Sequence, residues 1–294
     1  MRLNEAIDSF IAFILDERGL SLNTIYAYKM DLTKFLEFRG DVDVSRLNLE
    51  DIDAFAEFLS SQKLSQNTKS RIFSSLRSFF SYIEIEEISK KSIASDIQVP
   101  RKVIKLPNFL TEEEVNKLLE TPNLDTPKGI RDRAILEFMY ATGVRVSELT
   151  NLKLQDLLFD EKIARIRGKG GKERIVPFND YAEKFLLLYI YEARSKILKK
   201  RGEDKVFLNL RGNPISRVSI WKILKEYTLK AGISKNIYPH ILRHTFATHM
   251  LKNGCDLRTL QLFLGHSSMI TTQIYTHLDR KYLREVHKKF HPRG

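Results

Sequence analysis

Three stretches of this 294-residue chain hold side chains suited to handling phosphate esters. From Pro239 to His277 the sequence reads PHILRHTFATHMLKNGCDLRTLQLFLGHSSMITTQIYTH. It sets His240, Arg243 and His244 in an H-x-x-R-H pattern, puts His266 behind Leu264-Gly265, and brings Tyr275 nine positions later. Arg145 stands upstream in ATGVRVSEL, and Lys169 and Lys172 stand in the glycine-rich GKGGK. Guanidinium groups match the geometry of phosphate oxygens and stay charged at any working pH. Imidazoles exchange protons near neutrality. A tyrosine phenol can act as a covalent nucleophile, but its pKa of about 10 means it needs cationic surroundings to do so. Two arginines, two histidines and a tyrosine are what attack on a phosphodiester requires when no metal assists.

Rival chemistries fit these residues less well. His240 and His244 have the i, i+4 spacing of a zinc pair, but H-I-L-R-H lacks the glutamate of a zincin, and Arg243 between them would repel a cation. The GKGGK loop fails the P-loop spacing, has Glu173 where Ser or Thr is needed, and precedes a strand-like run instead of a helix. No metal and no cofactor are therefore expected. Most lone histidines in helices are structural, and His244, His249 and His277 read that way. His240 differs because Pro239 sets a helix start just before it, and His266 differs because Gly265 permits a tight turn.

These groups need elements to hold them. Apolar periodicity predicts a helix from about Lys128 to Ala141, broken by Gly143, with Arg145 opening a short helix in which Glu148 lies one turn on. Glu148 is either a partner that orients Arg145 or a surface pair of little weight. Weak alternation over Ile163–Arg167 and Arg174–Phe178 predicts a hairpin whose tip carries the lysines. A helix from Tyr181 to about Leu198, a basic patch (Arg194, Lys196, Lys199, Lys200, Arg201), a short strand Val206–Asn209 and a helix with Ile220, Ile223 and Leu224 follow. A basic tail helix from Asp279 shows an apolar stripe of Tyr282, Leu283, Val286 and Phe290, which needs its own core or a neighbouring subunit to cover it.

The amino-terminal part reads as four amphipathic helices with no strand-like alternation. The division predicted is 1–88 for a helical DNA-binding domain, 89–108 for an exposed basic linker with two prolines, and 109–294 for a catalytic domain that opens on a Thr111–Glu114 capping box. Asn67, Lys69 and Arg71 cluster at the fourth helix and, with Lys172, are candidates for contacts to a DNA backbone. Scattered charges on a helix are otherwise a solvated face. The net charge of +12 favours a polyanion partner. Cys255 is the sole cysteine, so no intrachain disulfide can form and a reducing, cytoplasmic setting is expected. Apolar runs such as Phe185–Ile190 are too short for a bilayer, and no signal-peptide pattern opens the chain.

ATGVRVSEL, GKGGKERIVP, PHILRHTFATHML, LGHSSMITTQIYTH and the closing HPRG together resemble the tyrosine recombinases, most of all the Xer site-specific recombinases. The resemblance spans nearly the whole chain. It implies a mainly α fold with a small β-sheet (α+β), in which a four-helix, SAM-like core-binding domain precedes the catalytic domain. It also implies roles. Tyr275 is the nucleophile that forms a 3′-phosphotyrosyl bond and frees a 5′-hydroxyl. Arg145 and Arg243 hold the non-bridging oxygens, His240 and His266 bond the phosphate or move protons, and Lys169 is the general acid, with Lys172 a competitor for that role. The implied partners are double-stranded DNA with a dif-like site, a homo- or hetero-tetramer on two sites, a second Xer recombinase and a septal DNA translocase. Resolution of chromosome dimers is the implied role. A mobile-element integrase, a type IB-like topoisomerase and a silent DNA-binding protein on the same fold are the competing readings.

Overall fold

The computed structural model describes residues 1–16, 22–88, 93–100, 109–168, 172–199, 202–235, 237–265 and 277–294. The chain forms two compact units, Met1–Lys105 and Leu106–Gly294. It is mainly helical with a small three-stranded sheet, the α+β class that the family resemblance implies.

In the first unit, α1 (Leu3–Asp16), α2 (Leu22–Arg39), α3 (Leu49–Ser61) and α4 (Gln66–Ile85) enclose an aromatic core. Phe10, Phe35, Phe55 and Phe79 are fully buried. Phe35 meets Phe55 edge-on at 5.2 Å, and Phe10 meets Phe79 at 5.7 Å, the geometry that ring quadrupoles favour. Asn48 and Asp51 form a reciprocal capping box at the start of α3, satisfying two helix-end N–H groups. Residues 93–100 depart from the expected exposed linker. Ile93, Ala94 and Ile97 are buried in this core, and Arg77 donates to the Ile97 carbonyl. Three apolar residues among lysines and prolines carry no helical period, which hid them from a pattern reading. The remainder of the expected linker, 89–92 and 101–108, lies outside the described residues.

The second unit is built around α6 (Pro127–Thr142), whose residues Ala134–Thr142 are all buried. α5 (Glu112–Glu120) precedes it with the expected Thr111–Glu114 capping box. α7 (Val146–Asn151) leads to an antiparallel sheet of β1 (Leu157–Leu158), β2 (Ile163–Arg167) and β3 (Glu173–Pro177), with Ala164 opposite Val176. α8 (Asp180–Leu188) continues through a π-helical stretch, Tyr189–Arg194, into α9 (Ser195–Ile197). Then come α10 (Arg217–Lys230), α11 (Pro239–Lys252), α12 (Leu257–Leu264) and α13 (His277–Phe290).

Two expectations need correction here. Arg194 is not part of a solvated basic patch. It is buried and donates to the carbonyls of Glu203, Lys205 and Val206, tying a loop to the helix. Val206–Asn209 forms no strand: Leu208 and Pro214 make an isolated bridge, and so do Lys153 and Lys205. The stripe on α13 is covered within its own unit, where Leu283 and Val286 join the core while Tyr282 stays exposed. The chain end is tied down as well. Arg293 donates to buried Glu137 at 2.8 Å, Arg133 shares that carboxylate, and Asn179 donates to the Arg293 carbonyl.

Candidate active site

Arg145 is delivered by a turn that only glycine can make. α6 ends at Gly143 with φ +59°, and a Cβ there would lie 2.4 Å from the Phe246 ring. Arg145 follows as the N-cap of α7, in extended backbone. Its side chain has no oxygen with which to cap the helix, so Glu148 reaches back instead. The Arg145 backbone N–H donates to Glu148 Oε2 at 2.8 Å, and its Nη1 donates to Oε1 at 2.9 Å. Glu148 is 5% exposed, so the buried-partner reading of this pair holds and the surface-pair reading does not.

Glu148 also receives a two-pronged guanidinium. Arg174 on β3, 4% exposed, donates from Nη1 to Oε1 and from Nη2 to Oε2, both at 2.8 Å. Burial alone would push the Glu148 carboxyl up. The bonds and charge of Arg174, then those of Arg145, outweigh it and hold the group below the usual carboxylate range, as an anion.

Arg243 projects from α11 into the same place. Its Nη1 donates to the Gly143 carbonyl at 2.7 Å, and its Nη2 to the Leu264 carbonyl at 2.6 Å. One side chain thus joins the turn before Arg145 to the end of α12. Burial first, then the charge of Arg145, lowers the Arg243 pKa to about 10, so the group remains a cation in strongly electropositive surroundings. α12 ends on Gly265 with φ +67°, and its last carbonyls, Phe263 and Leu264, each accept from a guanidinium. Cations at a helix carboxyl end are favoured by the unpaired carbonyls and the helix dipole.

His240 lies in the first turn of α11, behind Pro239, and is exposed. It stands three positions before Arg243, on the same side of the helix. Of the histidines read as structural, His249 is buried against the Tyr140 hydroxyl at 2.8 Å. His244 lies 3.5 Å from the Thr248 hydroxyl. The side chain of His277 lies outside the described residues. At the hairpin, the Gly168 N–H donates to the Lys172 carbonyl, and a Cβ on Gly168 would lie 3.9 Å from Glu148 Oε1. The base of the lysine-bearing loop therefore sits against the same carboxylate. Lys172 is exposed, whereas Lys169, His266 and Tyr275 lie outside the described residues. α12 ends two residues before His266, and α13 begins two residues after Tyr275. Among the described residues no cluster of three or more His, Cys, Asp or Glu side chains could hold a metal. None of their helices is long and apolar enough to cross a membrane.

The proposed backbone contacts of the first unit divide. Asn67 is exposed in the first turn of α4. Lys69 is half-buried and lines a groove that also contains Asp53 and Asp96. Arg71 pairs at 2.6 Å with buried Asp31, which Ser75 also bonds, so its charge is engaged within the fold. Arg174 escaped the sequence reading. Its signal was available, because ERIVP places an arginine at the head of an otherwise apolar strand.

Residues 108–281 match the phage integrase family, and residues 7–87 match the phage integrase N-terminal SAM-like domain. The tyrosine recombinase XerD of Oceanobacillus iheyensis is 44% identical over 297 residues, covering 99% of this chain and 100% of its own. That of Staphylococcus haemolyticus is 42% identical over 291 residues, covering 98% and 99%. Among solved structures, the XerH site-specific recombinase bound to a palindromic difH substrate, a post-cleavage complex, is 28% identical with a TM-score of 0.71 over 91% of this chain and 80% of its own. The Tn1549 transposon integrase with circular intermediate DNA shares the fold at 20% identity and a TM-score of 0.75, over 96% and 98%. The chain belongs to the phage integrase family as a Xer-type tyrosine recombinase, an enzyme that cuts and rejoins DNA in site-specific recombination.

Proposed function

We propose that the chain resolves chromosome dimers at a dif-type site, with Tyr275 as nucleophile. The phenol gives up its proton and attacks the scissile phosphorus, forming a 3′-phosphotyrosyl ester while the 5′-oxygen leaves. Arg145 and Arg243 hold the non-bridging oxygens and offset the charge that builds on them in the pentacoordinate transition state. Lys169 protonates the leaving oxygen, with Lys172 as the competing acid, and His240 and His266 bond the phosphate or carry protons. The phosphotyrosyl link keeps the ester energy, so rejoining to a new strand needs neither ATP nor metal.

One observation supports the reading: Arg243 is bonded to two neutral carbonyls, one of them that of Gly143, two residues before Arg145. That leaves positive charge for an anion to use. Exchange between two duplexes takes four strand cuts, hence a tetramer on paired sites, either of this chain alone or with a second Xer recombinase. A septal DNA translocase as a further partner and a cytoplasmic location complete the proposal. The dif-type site is supported by the kinship with XerD proteins and with XerH on difH.

The test is a nicked suicide duplex carrying candidate dif sequences. The wild-type chain should give a covalent protein–DNA band, and Tyr275→Phe should bind the duplex yet give none. A covalent band that survives Tyr275→Phe removes that residue from the reaction.

A further inference from the structure

Arg174 has no part in the chemistry above, yet its guanidinium bonds both the carboxylate that holds Arg145 and the last turn of α12. Nη1 and Nη2 grip Glu148, which in turn holds both the backbone and the side chain of Arg145. Nε donates to the Phe263 carbonyl at 2.8 Å, in the last turn of α12. Gly265, the residue before His266, lies directly over the side chain: a Cβ there would come within 2.9 Å of Arg174 Cδ and 3.1 Å of Nε and Nη1. Arg174 itself sits two residues past Lys172 on the hairpin. We propose that Arg174 is a positioning residue of the active centre, locking Glu148, and through it Arg145, to the α12 end that leads to His266. This rests on the active-site reading above.

Physical chemistry favours this role over simple stabilisation. A buried ion pair spends on desolvation most of what it gains in attraction, and an apolar pair of equal volume would hold the fold as well. What an apolar pair cannot do is fix direction. The planar fork of an arginine bonds both oxygens of one carboxylate and a carbonyl at once, whereas a lysine presents a point charge. Arg174 also engages both oxygens of Glu148. Without it, Arg145 would be the carboxylate's sole guanidinium partner and would lose more of its charge to it.

The experiment uses the full chain and a nicked duplex with a dif-type site, and it follows adduct formation in single turnover at saturating DNA. Arg174→Lys should keep non-covalent binding and the melting temperature near wild type while slowing adduct formation about 100-fold, the usual effect of a small misplacement of reacting groups. Because the effect passes through Arg145, the Arg174→Lys/Arg145→Lys double variant should be little slower than the slower single variant. Adduct formation at the wild-type rate in Arg174→Lys overturns the proposal. So do additive losses in the double variant, or losses of binding and melting temperature in proportion to rate. Should Arg174→Lys fail to fold, Arg174→Gln/Glu148→Gln, which buries no unpaired charge, takes its place, and wild-type cleavage by that pair again overturns it. If the wild-type chain forms no adduct at all, the active-site reading falls instead.

Discussion

The C-terminal helix offers a prediction whose size follows from the structure. His287 on α13 is fully buried, its Nε2 lies 2.7 Å from the Ala141 carbonyl, and its ring stacks on His291 at 4.8 Å beside Phe246 and Phe263. A carbonyl only accepts, so Nε2 carries the hydrogen, and burial keeps the ring neutral. Burial lowers the His287 pKa to about 4, against about 6.5 in an unfolded chain. Burial, then the neighbouring His287, drives His291 down as well. Above pH 6.5 both the folded and the unfolded states hold the ring neutral, and its contribution to stability is complete. As pH falls from 6.5 towards 4, the unfolded chain takes up the proton and the folded chain does not, so stability is lost.

Each pH unit within that window costs about 1.4 kcal/mol, so His287 alone should remove roughly 2–3 kcal/mol between pH 7 and pH 4.5. His287→Asn cannot take up that proton. It should begin less stable at pH 7 and lose that much less on acidification, as read from urea midpoints at the two pH values. Because α13 begins two residues after Tyr275, adduct yield on a nicked duplex should fall over the same window in wild type and less steeply in the variant. Parallel acid profiles for wild type and His287→Asn would refute the reasoning.

Gly143→Ala forces a left-handed φ on alanine and a Cβ into the Phe246 ring, and should cost about 2–4 kcal/mol in chemical denaturation. It should also slow cleavage, because the Gly143 carbonyl holds Arg243. Lys169→Ala should slow cleavage of ordinary DNA and be rescued by a 5′-phosphorothiolate, whose leaving group needs no proton; absence of rescue moves the acid role to Lys172 or a histidine. Lys69→Gln should reduce the dependence of log binding on log salt by about one, as loss of one phosphate contact does. Arg71→Gln should instead leave that slope unchanged and lower the melting temperature, since it abandons buried Asp31.

Much of this was legible in the sequence because it rests on local signals. Periodicity found the four helices of the first unit, a capping box marked α5, and Gly143 marked the break before Arg145. The motifs singled out Arg145 and Arg243, which the fold joins through the Gly143 carbonyl. What escaped depends on tertiary contact. Arg194 reads as surface charge until the carbonyls of Glu203, Lys205 and Val206 are seen around it. Ile93 and Ile97 read as linker until the first core closes over them. Arg174 reads as an ordinary strand residue, because its partners are 26 and 89 positions away in sequence.

Those distant partners explain how the proposed anion site can contain a buried acid. Three arginines, at 145, 174 and 243, surround Glu148. If the carboxylate were shared evenly, it would blunt the charge of all three. It is not shared evenly: Arg174 takes both its oxygens in the buried fork, and Arg145 adds a single side-chain bond at the edge. Arg243 is steered by two peptide carbonyls, which bond a cation without cancelling it. The acid is therefore spent on orientation and the carbonyls on placement, and the charge that remains is fixed before any substrate arrives. Donors held in place beforehand need no reorganisation as charge develops on the phosphate, which is where electrostatic catalysis gains most.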